Sequence, residues 1–161
     1  MKKVLFVCLG NICRSPLAEA IFADLIIKKG LENDIQVDSC GTAAYYVGDN
    51  PDPRTIQVAG DHNIAISHRG RQLSQSDFAE FDFIVGMDKS NYQNIESVNP
   101  TGSRIYLMRD FDTVGKGLDV PDPYYGGDEG FEEVYQILVR SSPQLLKFVQ
   151  DNQKSTFIKA R

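Results

Sequence analysis

Cysteine is scarce in this chain of 161 residues, and the three present, Cys8, Cys13 and Cys40, are an odd number. No fully paired disulfide framework can be drawn within one chain, so a reducing, cytoplasmic setting is expected. The spacing also tells against zinc, because structural ligand pairs stand about two to four residues apart and need a matching second pair. Basic charge is in deficit too: 17 Lys and Arg against 22 Asp and Glu leave a net charge of -5. A surface that tracks nucleic acid or anionic membrane needs the opposite balance, so neither is an expected partner, and any anion site has to be local. Long apolar runs are missing. "MKKVLFVCLG" imitates the start of a secretory leader, but Asn11 and Arg14 cut it short, and no later segment reaches the length of a membrane span. A glycine-rich nucleotide loop is missing as well, since Gly10 stands without companions and without a Lys-Ser/Thr ending. With no repeat, linker or low-complexity tract, and 42% hydrophobic residues to form one core, a single domain over 1–161 is expected.

What the sequence does have is an alternation of two apolar patterns. "KVLFVC", "IQVDSCG", "DFIVGM" and "RIYLM" are short apolar runs that read as strands. Between them lie helical patterns. Pro16 suits a first helical turn, Leu17, Ala20, Ile21 and Leu25 recur at helical spacing, and Gly30 after two lysines is a stop signal. Further helices are predicted over 54–63, 76–81 and 90–98, with Asp52 kept out of helix by the proline that follows it. The last helix opens after "GGDEG", with Phe131, Val134, Tyr135, Leu138, Leu145 and Phe148 on one side and a break expected near Pro143. This order predicts an α/β fold, a four-stranded parallel sheet with helices on both faces of the flavodoxin-like or Rossmann-like kind, with ligands at the carboxyl ends of the strands.

The stretch "VCLGNICRSP" lies at such an end. Cys8 closes the first strand and Arg14 to Pro16 open the next helix, so the loop between them can bend into an anion cradle of backbone N–H groups at a helix N-terminus. Gly10 and Asn11 tolerate the left-handed angles a tight ring requires. Arg14 offers a planar fork for two phosphoryl oxygens. In that field Cys8 is expected to ionise and act as a nucleophile, with Ser15 donating a hydrogen bond to its sulfur. Cys13 has two readings, a compact filler or a thiol that could capture oxidised Cys8 as a reversible disulfide. Asp88, at the end of the third strand, supports the loop or caps a helix.

"VCLGNICRSP" resembles the phosphate-binding signature of the low-molecular-weight protein tyrosine phosphatases, and the resemblance continues through "DSCGT" and "FDFIVGMDKSN" to "DPYYGG". It implies the four-stranded parallel fold and metal-independent hydrolysis of phosphate monoesters through a phosphocysteine, with no cofactor. Leu9, Gly10, Asn11, Ile12, Cys13 and Ser15 would form the phosphate loop around Cys8 and Arg14. The general acid, and then base, would be the aspartate of "DPYYG", Asp122, with Asp119 as its local rival. Ser39 and His68 resemble positions that hold the loop asparagine. Tyr45, Tyr46, Tyr124 and Tyr125 would wall the slot for a flat ring, or else only decorate turns. Some relatives place tryptophan on that wall; this chain has none. The implied partners are phosphotyrosine proteins or peptides, and inorganic phosphate or similar oxyanions in the site.

Two relatives of the same fold are the nearest rivals. Thioredoxin-coupled arsenate reductases carry further cysteines after the third strand, where this chain has "GMDKSNYQNIES". Protein arginine phosphatases usually place threonine where this chain has Ile12, and an isoleucine favours phosphotyrosine over a guanidinium substrate. A binding module without catalysis would lose the acid or the nucleophile, and both Cys8 and Asp122 are present.

Overall fold

Val4, Leu5, Phe6 and Val7 are all fully buried, which is why the first strand reads as a continuous apolar run and not as an alternation. In the computed structural model, which describes residues 1–155, this strand is β1 (Lys2–Cys8). It pairs in parallel with β2 (Ile35–Gly41) on one side and β3 (Phe83–Gly86) on the other, and β3 pairs in parallel with β4 (Ile105–Leu107). The sheet order is β2-β1-β3-β4. The predicted parallel four-stranded architecture is therefore present.

Side chains of β1 alternate between two cores. Val4, Phe6 and Cys8 join the larger one with α1 (Arg14–Lys28), α2 (Pro53–Asp61) and α5 (Asp128–Asp151), while Leu5 and Val7 join the smaller one with α3 (Gln75–Glu80) and α4 (Lys89–Ser97). Helices thus cover both faces. Because the chain leaves β1 toward β2 but β3 lies on the opposite side, the carboxyl ends of β1 and β3 flank a switch point in strand order, where open α/β sheets form their ligand crevice. Cys8 ends β1 there, and Asp88 follows β3.

Two helices differ from the sequence reading. The buried stripe of α1 is Leu17, Ala18, Ile21, Phe22 and Ile26, with Ala20 and Leu25 at its half-buried margin. Helix α5 begins at Asp128 and runs through Pro143 without the expected break. Val134, Tyr135 and Leu138 before the proline, and Leu145, Leu146 and Val149 after it, are buried in one core, and their packing holds both halves in line. Gly30, at φ 68, ends α1 as the stop signal predicts. The single-domain expectation extends to residue 161, and residues 156–161 lie outside those described.

Candidate active site

The loop from Cys8 to Arg14 is shaped by what its carbonyl groups bond to. The carbonyl of Cys8 accepts from Thr42 N–H at 2.9 Å, that of Leu9 from Ala43 N–H at 2.9 Å, and that of Ile12 from Asp52 N–H at 2.8 Å. Thr55 Oγ1 donates to the Cys13 carbonyl at 3.4 Å. All four donors lie outside the loop. In a trans peptide the N–H points opposite to the C=O, so the amides of Leu9, Gly10, Cys13 and Arg14 turn toward the loop interior.

Asn11 provides the turn. It adopts φ 58 and is 1% exposed. Its Nδ2 donates to Ser15 Oγ at 2.8 Å and Ser39 Oγ at 3.0 Å. Its Oδ1 accepts from the Arg71 N–H at 3.1 Å, and since a backbone amide only donates, this contact fixes the side-chain amide orientation. His68 Nε2, 2.7 Å from the same oxygen, must then carry a hydrogen. Ser39 Oγ donates onward to Glu19 Oε1 at 2.6 Å, and His68 Nδ1 lies 3.1 Å from that oxygen. Ser39 and His68 therefore do surround the loop asparagine. Gly10 differs from expectation: it has no positive φ, and its value is space, because a Cβ there would lie 2.9 Å from Tyr46 Cδ2.

Cys8, buried at 2% exposure, sits with Sγ 3.0 Å from Ser15 Oγ. Asn11 already donates to that hydroxyl, whose single hydrogen is left for the Cys8 sulfur or for the Cys40 carbonyl at 3.3 Å. Arg14 is equally buried. Its Nη1 donates to Asp88 Oδ2 at 2.6 Å and to the Val120 carbonyl at 3.1 Å. Its Nη2 stands 3.6 Å from Asp122 Oδ2. Burial opposes the Arg14 charge, but Cys8, Asp88 and Asp122 together raise its pKa above the ordinary value. Cys13 and Cys40 are free and buried. Burial foremost, then the negative charges of Asp52, Cys8 and Asp122, push the Cys13 thiol up to about 12. Burial likewise pushes Cys40 well up.

One cleft is lined by Cys8, Ile12, Arg14, Asp122 and all four predicted tyrosines. Tyr46 donates to Tyr124 Oη at 3.4 Å, with ring centroids 6.4 Å apart, and these two form the inner wall. That bond foremost, with burial, pushes the Tyr46 phenol up to about 12. Tyr45 and Tyr125 stand outside them at 73% and 93% exposure. Asp122 Oδ1 accepts from Tyr124 N–H at 3.1 Å, a turn made rigid by Pro121 and Pro123. Asp119 is directed elsewhere, accepting from Lys89 N–H at 3.0 Å.

Several contributors carry no sequence signal of their own. Glu19, Asp38 and His68 offer ligand atoms within 4.8 Å of one another, a grouping that could hold a cation. Each has a protein partner: His68 bonds Asn11, Glu19 accepts from Ser39, and Asp38 accepts from Arg71 at 3.0 Å. Glu19 and Arg71 are common surface residue types whose role here depends on contacts distant in sequence. His62 stacks on Tyr135 at 3.7 Å and bonds Glu132 at 2.8 Å. Among the described residues no helix is long and apolar enough to cross a membrane.

The match to known proteins spans this whole arrangement. A family model described as low molecular weight phosphotyrosine protein phosphatase matches residues 3–155. A low molecular weight phosphotyrosine protein phosphatase of Schizosaccharomyces pombe is 49% identical over 150 residues, covering 91% of this chain and 96% of the relative. A crystal structure of a protein tyrosine phosphatase from Entamoeba histolytica, with Hepes in its active site, has 38% identity and a TM-score of 0.89, covering 94% of this chain and 98% of its own. The structure of a Drosophila arginine phosphatase is similar at 35% identity and a TM-score of 0.83, over 92% of this chain and 97% of that one.

Proposed function

From the premise that the chain belongs to the low molecular weight phosphotyrosine protein phosphatase family, we propose a phosphocysteine mechanism on Cys8 for phosphotyrosine proteins or peptides. The observation that carries it is convergence: Cys8, Arg14 and Asp122 line one cleft, and the Arg14 guanidinium lies between a carboxylate that anchors it and one 3.6 Å away at the mouth. With Nη1 held by Asp88 and Val120, the Nε–Nη2 edge of Arg14 grips two phosphoryl oxygens, joined by the inward amides of the loop. The Cys8 sulfur attacks phosphorus, the bond to the phenolic oxygen breaks, and that oxygen takes a proton from Asp122. Water then attacks the phosphocysteine. Asp122 takes a proton from it, the S–P bond breaks, and the Ser15 hydroxyl donates to the departing sulfur. Inorganic phosphate and similar oxyanions occupy the same cradle.

Ile12 favours phosphotyrosine over the arginine phosphatase reading. Its side chain brings no hydroxyl for a guanidinium and lines the cleft beside the tyrosines, whose rings suit a flat phenol. The proposal takes residues 1–161 as one domain acting in the cytoplasm without metal. It is tested by giving the enzyme phosphotyrosine, phosphoserine and phosphoarginine peptides in excess chelator. Turnover of phosphotyrosine alone, undiminished by chelator, is expected, and Cys8→Ser should bind phosphate without turnover. Substantial turnover by Cys8→Ser, or activity lost in chelator and restored by zinc, overturns the reading.

A further inference from the structure

The segment that carries Asp122 lies outside any helix or strand, in the stretch that leads into α5. Its two prolines limit the local backbone, but they do not set its height above Cys8. Something else has to hold it. Arg54, in the first turn of α2, reaches across to it: Nη2 donates to the Tyr124 carbonyl at 3.0 Å and Nη1 to the Gly126 carbonyl at 3.2 Å. The guanidinium also lies over the Phe131 ring at 4.6 Å and the Tyr124 ring at 5.7 Å. Tyr124 is thereby held by its N–H, through Asp122, and by its carbonyl, through Arg54.

The other side of Arg54 is tied to the phosphate loop. Nε donates to Asp52 Oδ1 at 3.1 Å and Nη2 to Asp52 Oδ2 at 3.0 Å, a two-point pair that fixes the plane of the guanidinium. Asp52 is 8% exposed, caps α2 by accepting from Arg54 N–H, and through its own N–H bonds the Ile12 carbonyl. Burial works against the Asp52 charge, but the bonds from Arg54 outweigh it and hold the carboxyl below its usual value. A continuous path therefore runs from Ile12 through Asp52 and Arg54 to Tyr124 and Gly126. Asp52 and Arg54 join the loop of the nucleophile to the loop of the acid without lining the cleft themselves.

We propose that Arg54 is a positioning residue for the reaction: it braces the Asp122 loop against the phosphate loop, so that the carboxyl group meets the leaving oxygen. This rests on the reading of Asp122 as the general acid. Lysine cannot substitute, because one ammonium cannot bond Asp52 and two carbonyls in a plane. Misplacing a proton donor matters most when the leaving group is basic, as with a phenol of pKa about 10, and least when the phenol is acidic.

The test compares kcat/KM for phosphotyrosine and for 4-nitrophenyl phosphate in wild type, Arg54→Ala, Arg54→Lys, Asp122→Ala and the Arg54→Ala/Asp122→Ala double variant. For both Arg54 variants the expected loss is about tenfold or more on phosphotyrosine and less than about threefold on the nitrophenyl ester. Competitive inhibition by inorganic phosphate should be unchanged, since the cradle is intact. The double variant should be no slower than Asp122→Ala. Should Arg54→Ala fail to fold, Arg54→Lys carries the same comparison. If Asp122→Ala discriminates between the esters while the Arg54 variants lose both equally, or lose neither, the bracing role is overturned and the acid stands. If Asp122→Ala itself slows both esters equally, it is the acid assignment that fails.

Discussion

Arg14 and Asp88 are joined by a 2.6 Å hydrogen bond from Nη1 to Oδ2, and the other oxygen of the same carboxylate accepts from Asn91 N–H at 2.6 Å to cap α4. A guanidinium as buried as this one needs a carboxylate partner, because an unpaired charge there would be strongly destabilising. Placing that partner on a helix cap at the end of β3 fixes it to the scaffold. The two sequence readings of Asp88, loop support and helix cap, are both satisfied by one side chain.

That division of labour separates two substitutions. Asp88→Asn keeps a good helix cap but gives up the charge opposite Arg14, whereas Asp88→Ala gives up both. A hydrogen bond to a charged group contributes about 1.5–3 kcal/mol, so Asp88→Asn should lower kcat/KM by about 10- to 100-fold and lower the unfolding temperature, because Arg14 keeps its charge without the counter-charge. Asp88→Ala should lose similar activity and unfold at a temperature lower still, because the helix cap goes too. Wild-type turnover in Asp88→Asn would show that Arg14 is oriented without the ion pair.

The parts of the site that were legible in advance are those whose meaning is local. Cys8 to Ser15 form one contiguous stretch between a strand and a helix, so spacing alone suggests a cradle, whereas Asp122 is singled out only through the resemblance of "DPYYG". The brace through Arg54 was not legible, since an arginine beside an aspartate in a loop reads as an ordinary solvated pair until α5 is folded against α2. The uninterrupted α5 has the same origin, because tertiary packing on both sides of Pro143 overrides a local rule. At Gly10 the requirement is space and not backbone freedom, which a glycine in a tight loop does not reveal: the left-handed residue is Asn11, and Gly10 makes room for a tyrosine ring.

Asn11 does two separable things, holding φ 58 and filling four hydrogen bonds. Glycine accepts that backbone angle freely, while alanine there is strained by about 1 kcal/mol or more. Both Asn11→Gly and Asn11→Ala should lower kcat/KM by about 10-fold or more, because Ser15, Ser39 and His68 lose a common partner. Asn11→Ala should be the less stable in urea by about 1 kcal/mol. If Asn11→Gly keeps wild-type activity, the asparagine serves only its backbone angle.

Asp112 is another buried charge, and it bears on the chain that leads into the acid loop. Arg140 donates to its two oxygens at 2.6 and 2.8 Å, and Arg109 Nε donates at 3.0 Å. Arg109 also donates to the Asp119 carbonyl at 3.0 Å, so the cluster ties α5 to the chain leading into Asp122. Hydrogen bonds from Arg140 foremost, outweighing burial, hold the Asp112 carboxyl down at about 2. The unfolded value is about 3.9. A carboxyl depressed in the folded state adds stability that is complete above the unfolded value and is lost as pH falls toward the folded one. The window is therefore about pH 5 down to 2. Asp112→Asn should be less stable at pH 7 by about 3 kcal/mol, since both arginines lose their partner. Urea midpoints measured across that window should fall more steeply for wild type than for the variant, so that the two curves converge at the acid end. Parallel curves would mean that the stability contributed by Asp112 does not come from its charge.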